Sequence, residues 1–135
     1  MSPQILLVDD DRSALYALNE VLGDLPVQLV FATSGEEALR QVLKTEFAAI
    51  LLDVRLPNMD GFEVAAAIRS LERTRHTPII FMSANEDRRK TPRPTSHPER
   101  YFRKPLIPEL VRATVLSFLP AHAVEATHSE LHNRV

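Results

Sequence analysis

Residues 48–61 read AAILLDVRLPNMDG, and no other stretch narrows the possible folds as much. Its first five residues are apolar without polar alternation. A short run of that kind, bounded by turn residues, predicts a strand buried on both faces, as in a parallel sheet. A single acid, Asp53, ends the run, and Pro57, Asn58, Asp60 and Gly61 then supply loop and turn chemistry. In open α/β sheets, ligands bind at the carboxyl ends of strands just before such loops. A solvated acid at a strand end is also common, so the partners of Asp53 must decide between the two.

The rest of the chain supplies the companion elements. Ile5 to Val8 is a second apolar run, stopped by Asp9, Asp10 and Asp11. Leu15, Leu18 and Leu22 follow at helical spacing, closed by Gly23 and Pro26. Val27 to Ala32 reads as a strand, and Ser34-Gly35 as a helix entry. Ala38, Leu39, Val42 and Leu43 form the apolar stripe of that second helix. Val64, Ile68 and Leu71 mark a third helix, with Phe62 at its start. Pro78 introduces a fourth strand, IIFMSA, and Tyr101-Phe102 suggests a short fifth. Leu110, Val111, Thr114, Val115 and Phe118 give the stripe of a last helix. Strands alternating with helices at this rhythm predict βαβ units and a parallel sheet covered on both faces, with right-handed crossovers.

The rhythm fails once. Residues 85–100, NEDRRKTPRPTSHPER, hold no aliphatic or aromatic side chain and contain Pro92, Pro94 and Pro98. A helix there would have no apolar face to bury, and the prolines would break its hydrogen bonds. At most a single turn from Asn85 to Lys90 is compatible with the sequence.

Bulk properties exclude several classes of function. At 135 residues the chain is long enough for one domain with a true core. A net charge of −2 gives no electrostatic reason to expect direct binding of nucleic acid or an anionic membrane. Without cysteine there is neither a disulfide framework nor a thiolate metal site. The N-terminal apolar run is short and ends in acids, unlike a signal peptide, and no apolar stretch has membrane-spanning length. The expected location is the cytoplasm.

In a parallel sheet the carboxyl ends of all strands share one edge. That edge would gather Asp9 and Asp10 from the first strand, Asp53 from the third, Ser83 from the fourth and Lys104 after the fifth. Three converging carboxylates repel and raise one another's pKa unless a cation intervenes. An oxygen-only ligand set that leaves room for water and a phosphate oxygen suits Mg²⁺. A lysine fits a phosphate or carboxylate oxygen, a serine hydroxyl can donate to the same group, and a carboxylate can accept a phosphoryl group as an acyl phosphate. Together they form a site for phosphorylating an aspartate, in which metal and lysine offset charge on the equatorial oxygens.

The sequence resembles the receiver domains of bacterial two-component response regulators, the CheY-like family. The similarity lies in LLVDD (6–10), LLDVRLPNMDG (51–61), PIIFMSA (78–84) and YFRKP (101–105), four blocks in order, each ending a predicted strand. They span residues 4–119 apart from 85–100. The resemblance implies a doubly wound, flavodoxin-like five-stranded sheet in the order 2-1-3-4-5. It implies that Asp53 is the phosphoacceptor, and that Mg²⁺ is held by Asp10, Asp53, the backbone carbonyl of Arg55 and Asp9, the last partly through water. Ser83 would be the hydroxyl that moves onto the phosphoryl group, Lys104 its cation and Tyr101 an aromatic switch. It further implies a cis Lys104-Pro105 bond and a sensor histidine kinase or phosphotransfer protein as phosphodonor.

Two departures from the family follow. The amphipathic helix that such domains place between the fourth and fifth strands is replaced here by residues 85–100, and no Gly-Ala step precedes the fifth strand. Ile80 or Ile79, Met82 and Phe102 are then the side chains expected to lose their cover, which predicts a homodimer or a target protein on that side. Residues 1–119 are expected to form the domain and 120–135 a polar tail or linker. His128 and His132, spaced i to i+4 without a third ligand, and the run Arg88-Arg89-Lys90 beside Glu86 and Asp87 read as solvated surface. Asp11 reads as a loop or helix-start acid.

The expected function is a phosphorylated switch rather than a turnover enzyme, assisting its own phosphorylation and dephosphorylation. The alternative is a receiver-like interaction module that keeps the acids without switching. A small Mg²⁺-dependent phosphatase would need an acid two residues after the nucleophile, where this chain has Arg55.

Overall fold

The computed structural model describes residues 2–84 and 100–120. They form five parallel strands, β1 (Gln4–Val8), β2 (Gln28–Ala32), β3 (Ala49–Asp53), β4 (Ile79–Ser83) and β5 (Arg100–Arg103). Four α-helices accompany them, the first three as connections and the last after β5: α1 (Arg12–Leu22), α2 (Gly35–Lys44), α3 (Gly61–Ser70) and α4 (Pro108–Ser117). The strand order is β2-β1-β3-β4-β5, as the resemblance implied. All five residues of β3 are buried, which is what its unbroken apolar run required.

Local signals start the helices where the sequence placed them. The Asp11 side chain caps α1 by accepting from the Ser13 amide at 2.9 Å. Ser34 caps α2 through the Glu37 amide at 3.1 Å. Asp60 and Glu63 form a reciprocal capping box at the start of α3. Each cap satisfies amides that would otherwise lack partners at a helix start.

The sheet separates two cores. Leu15, Leu18 and Leu22 of α1 join Val111 and Val115 of α4 on one face. Ala38, Val42, Val64 and Ile68 of α2 and α3 cover the other. The register of β4 and β5 corrects one expectation. Ile80, Met82 and Phe102 are buried in the α1/α4 core and not on the opposite face. Ile79 and Phe81 occupy that opposite face, both nearly fully buried. A strand buried on both faces carries no polar alternation, so its sequence could not set which side each residue faces. The expected absence of a helix at 85–100 falls on residues outside those described, apart from Arg100 in β5, and so does the tail after Pro120. Leu43 and Leu110, expected in apolar stripes, are largely exposed at 63% and 50%. The buried faces of their helices instead centre on Ala38 and Val42, and on Val111 and Val115.

Two contacts fix the helices next to the strand ends. Arg112 of α4 donates to the Val21 carbonyl at 2.8 Å and to Asp24 Oδ2 at 3.1 Å, pinning α4 to the end of α1. Gly61 brings the start of α3 against the end of β3, and its amide donates to the Val54 carbonyl at 2.8 Å. A Cβ at Gly61 would stand 2.4 Å from the Asp53 carbonyl oxygen and 2.9 Å from Val54 Cα. Both obstacles are backbone, so α3 would have to move. Gly61→Ala is therefore expected to destabilise the fold by about 1–3 kcal/mol in urea unfolding. A loss below about 0.5 kcal/mol would show that the α3 entry yields more easily than this contact requires.

Candidate functional site

The ladder at the carboxyl edge explains why distant residues meet. Val8 of β1 lies beside Leu52 of β3, so Asp9 and Asp53 emerge as neighbours. The Lys104 amide donates to the Ser83 carbonyl at 2.8 Å, extending the β4–β5 ladder by one residue and placing Lys104 at the same edge. The Lys104-Pro105 bond is cis.

Lys104 is the centre of the cluster. Its ammonium lies 3.1 Å from Asp9 Oδ2 and 3.0 Å from Asp53 Oδ2. The second oxygen of each carboxylate accepts a backbone amide two residues on: Asp11 donates to Asp9 at 3.0 Å, and Arg55 to Asp53 at 3.1 Å. Asp9 and Asp53 are nearly fully buried, whereas Asp10 is exposed. Carboxylate oxygens of Asp9, Asp10 and Asp53 lie within 4.8 Å of one another. A hollow of about 450 Å³ opens above them, lined by Asp10, Asp53, Arg55, Leu56, Pro57, Ala84 and Lys104. Three clustered carboxylates, two of them lining an open hollow, form an all-oxygen donor set of the kind a hard divalent cation such as Mg²⁺ takes.

Electrostatics follow from this crowding. Burial, and then the charge of Asp9, push the Asp53 carboxyl up to about 6, against the opposing pull of Lys104 and the Arg55 amide. Burial works against the Lys104 ammonium, but its hydrogen bond to Asp53 and the two carboxylate charges hold its pKa above the usual lysine value.

The structure brings Asp9, Asp10, Asp53 and Lys104 together as the sequence suggested. Ser83 is buried at the end of β4, on the same edge. Arg55 meets the site through its amide and lines the hollow. Tyr101 stands on β5, 37% exposed, with its ring stacked on Phe81 at 5.2 Å between centroids and 23° between planes. Phe81 in turn meets Phe62 at 4.9 Å. Nothing in the sequence marks Phe81 as the partner of Tyr101, since that depends on the β4 register. Nor did it reveal the Asp11 amide as the group that fixes Asp9.

Residues 5–115 match the family model of the response regulator receiver domain. The chain belongs to this family. The transcriptional regulatory protein SrrA of Staphylococcus aureus is 32% identical over 99% of the chain, which covers 55% of that protein. This receiver domain therefore spans about half the length of the curated relatives it matches. Among solved structures, the chemotaxis response regulator CheY4 of Vibrio cholerae superposes with a TM-score of 0.77 at 28% identity, over 88% of this chain and 100% of that one. The receiver domain of the sensor histidine kinase PA1611 of Pseudomonas aeruginosa superposes with a TM-score of 0.76 at 27% identity, over 87% and 98%. That structure has a magnesium ion coordinated in its active-site cleft.

The raised Asp53 pKa has a consequence for stability. Below its ordinary value of 3.8 the carboxyl is protonated whether the chain is folded or not, and costs nothing. As pH rises from 3.8 through about 6 the folded state loses stability, and above that the full cost applies. At ~1.4 kcal/mol per pKa unit, the cost is no more than about 3 kcal/mol. In metal-free buffer, Asp53→Asn should stabilise the domain at pH 7.5 by up to that amount, and much less at pH 4.5. Urea unfolding at both pH values checks this, and an equal change at both would refute it.

Proposed function

We propose that this receiver domain accepts a phosphoryl group on Asp53 from a histidine kinase or phosphotransfer protein and thereby switches its contact with a target. The observation that carries this reading is Lys104, held within 3.1 Å of both Asp9 and Asp53 beside an open hollow. A purely structural ion pair needs no open face. Here one ammonium serves two buried carboxylates, and a third, exposed carboxylate stands within reach.

Each side chain has a task in that reaction. Asp53, ionised in its majority at neutral pH, is the nucleophile: its oxygen bonds to phosphorus as the phosphorus–nitrogen bond of a phosphohistidine breaks and the imidazole leaves. Lys104 turns from the carboxylate to the phosphoryl oxygens, which take over its charge partner. Ser83 donates its hydroxyl to the same oxygens. The Arg55 amide holds the other Asp53 oxygen and fixes the carboxylate plane. Asp9, Asp10 and Asp53 would hold Mg²⁺, together with the Arg55 carbonyl, and the bound ion would offset the negative charge that the carboxylates and phosphoryl group bring together. Asp9 also holds Lys104, at 3.1 Å.

Tyr101 is the reporter of the switch. Its ring lies on Phe81, two residues before Ser83, so movement of the Ser83 hydroxyl towards a phosphoryl group is passed to β5 through that stack. The target contacts the β4–β5 side, where Tyr101 is exposed. No helix among the described residues is long and apolar enough to cross a membrane, and the proposed site of action is the cytoplasm.

Intact-mass measurement after treatment with acetyl phosphate and Mg²⁺ should show one added phosphoryl group on the wild type and none on Asp53→Asn. Equal labelling of both would sink the assignment. If phosphorylation leaves the amide resonances of β4 and β5 unmoved, the chain is a non-switching interaction module instead.

Arg55 lines the hollow above the acceptor, and its guanidinium can shield an acyl phosphate from water. Arg55→Ala is expected to shorten the phosphorylated lifetime by up to about tenfold, the rate equivalent of one charge-assisted contact. An unchanged dephosphorylation rate removes the Arg55 side chain from the mechanism.

A further inference from the structure

The two edges of the sheet are protected unequally. The outer strand β5 carries Arg100 and Arg103, and charged side chains are a common guard against unwanted strand pairing. At the opposite edge, residues 27–34 (VQLVFATS) contain no charge, no proline and no glycine. The Gln28 amide donates to Pro3, and Ala32 accepts from the Asp9 amide, so the even-numbered residues of β2 face β1. The amides and carbonyls of Leu29 and Phe31 therefore face outward, with no strand beyond them among the described residues.

Apolar surface accompanies this open edge. Phe31 is 39% exposed and Tyr16 on α1 is 68% exposed, and both line one hollow beside β2. Exposed aromatic rings next to unpaired backbone form a surface that another strand can extend.

The charges beside β2 indicate what that strand is. Glu37 shares a hollow with Phe31, Thr33 and Arg12 at the carboxyl end of β2. Lys44 shares one with Val27, Gln28 and Glu46 at its amino end. An antiparallel partner of identical sequence would set its amino end against the carboxyl end of the first strand. Glu37 of each copy would then face Lys44 of the other. A twofold contact of this kind uses the same edge in both copies and closes on itself, leaving no free β2 edge to grow a fibre.

We propose that the edge of β2 is an interface between two copies of this chain, joined by antiparallel β2–β2 pairing about a twofold axis at Val30. Leu29 of each copy pairs with Phe31 of the other, and two Glu37–Lys44 contacts flank the pair. The result is a continuous ten-stranded sheet. The two Asp53 clefts point to opposite ends of it, so pairing covers neither, and the interface stands independently of the phosphorylation chemistry.

Sedimentation equilibrium of the full 135-residue chain tests this, with circular dichroism confirming that each variant is folded. The wild type is expected to form a dimer, and Phe31→Lys to be monomeric because it places a charge on each edge. Glu37→Lys or Lys44→Glu alone should weaken the dimer about tenfold, since each creates two like-charge contacts, and the two changes combined should restore it. Three results would overturn the proposal: a monomeric wild type at about 1 mM, the weak limit of specific association; a dimer indifferent to Phe31→Lys; or a combined charge swap no tighter than either single change. A wild type that stays monomeric yet binds an unrelated β-strand peptide counts among these, because it assigns the edge to a foreign partner.

Discussion

Two buried carboxylates at neighbouring strand ends share a single ammonium, and the rest of the structure follows from keeping that arrangement in place. Without Lys104, Asp9 and Asp53 would face each other nearly dehydrated, an arrangement that costs several kcal/mol unless protons or a metal compensate. The lysine lies 51 residues from Asp53 in sequence and 95 from Asp9. The parallel ladder delivers it, and so the order β2-β1-β3-β4-β5 serves the site as well as the core. The backbone amides of Asp11 and Arg55 complete the arrangement from the other side, where rotation of either carboxylate would break a hydrogen bond.

The same economy shows in the way α3 begins. Asp60 and Glu63 cap the helix, and Gly61 lets it start in direct contact with the backbone of Asp53. Asp53 is thus held from behind by a rigid element, while its carboxylate lines an open hollow. Arg112 plays a matching part on the opposite face, tying α4 to the end of α1. Its guanidinium also holds the Asp24 carboxyl below the usual carboxylate range through their hydrogen bond.

Much of this was legible in the sequence, for a definite reason. Strands covered on both faces must be apolar throughout, so Ile5–Val8, Ala49–Leu52 and Ile79–Met82 stood out, and the acids and hydroxyl that end them marked the functional edge. The helix entry at Ser34 was readable because its chemistry is local, whereas Asp60, read as turn chemistry, proved to be a helix cap. What stayed hidden was whatever depends on register. Uniformly apolar strands carry no alternation, so the choice between Ile79 and Ile80 stayed open, Met82 and Phe102 were expected on the wrong face, and Phe81 went unnoticed. Backbone donors such as the Asp11 amide leave no trace in side-chain identity at all. Leu43 and Leu110 show the converse error, apolar residues whose helical position turns them to solvent.

The stacking of Tyr101 on Phe81 has an optical consequence. The chain contains no tryptophan and only two tyrosines, Tyr16 and Tyr101. Tyr16 stands on α1 and is 68% exposed, so in the single chain its ring contributes little near-ultraviolet circular dichroism. Tyr101 sits in a fixed, chiral setting against a second ring, the arrangement that gives an aromatic chromophore a strong signed band. The tyrosine dichroism of the single chain is thus dominated by one ring on β5, and the domain carries a built-in spectroscopic gauge that needs no label.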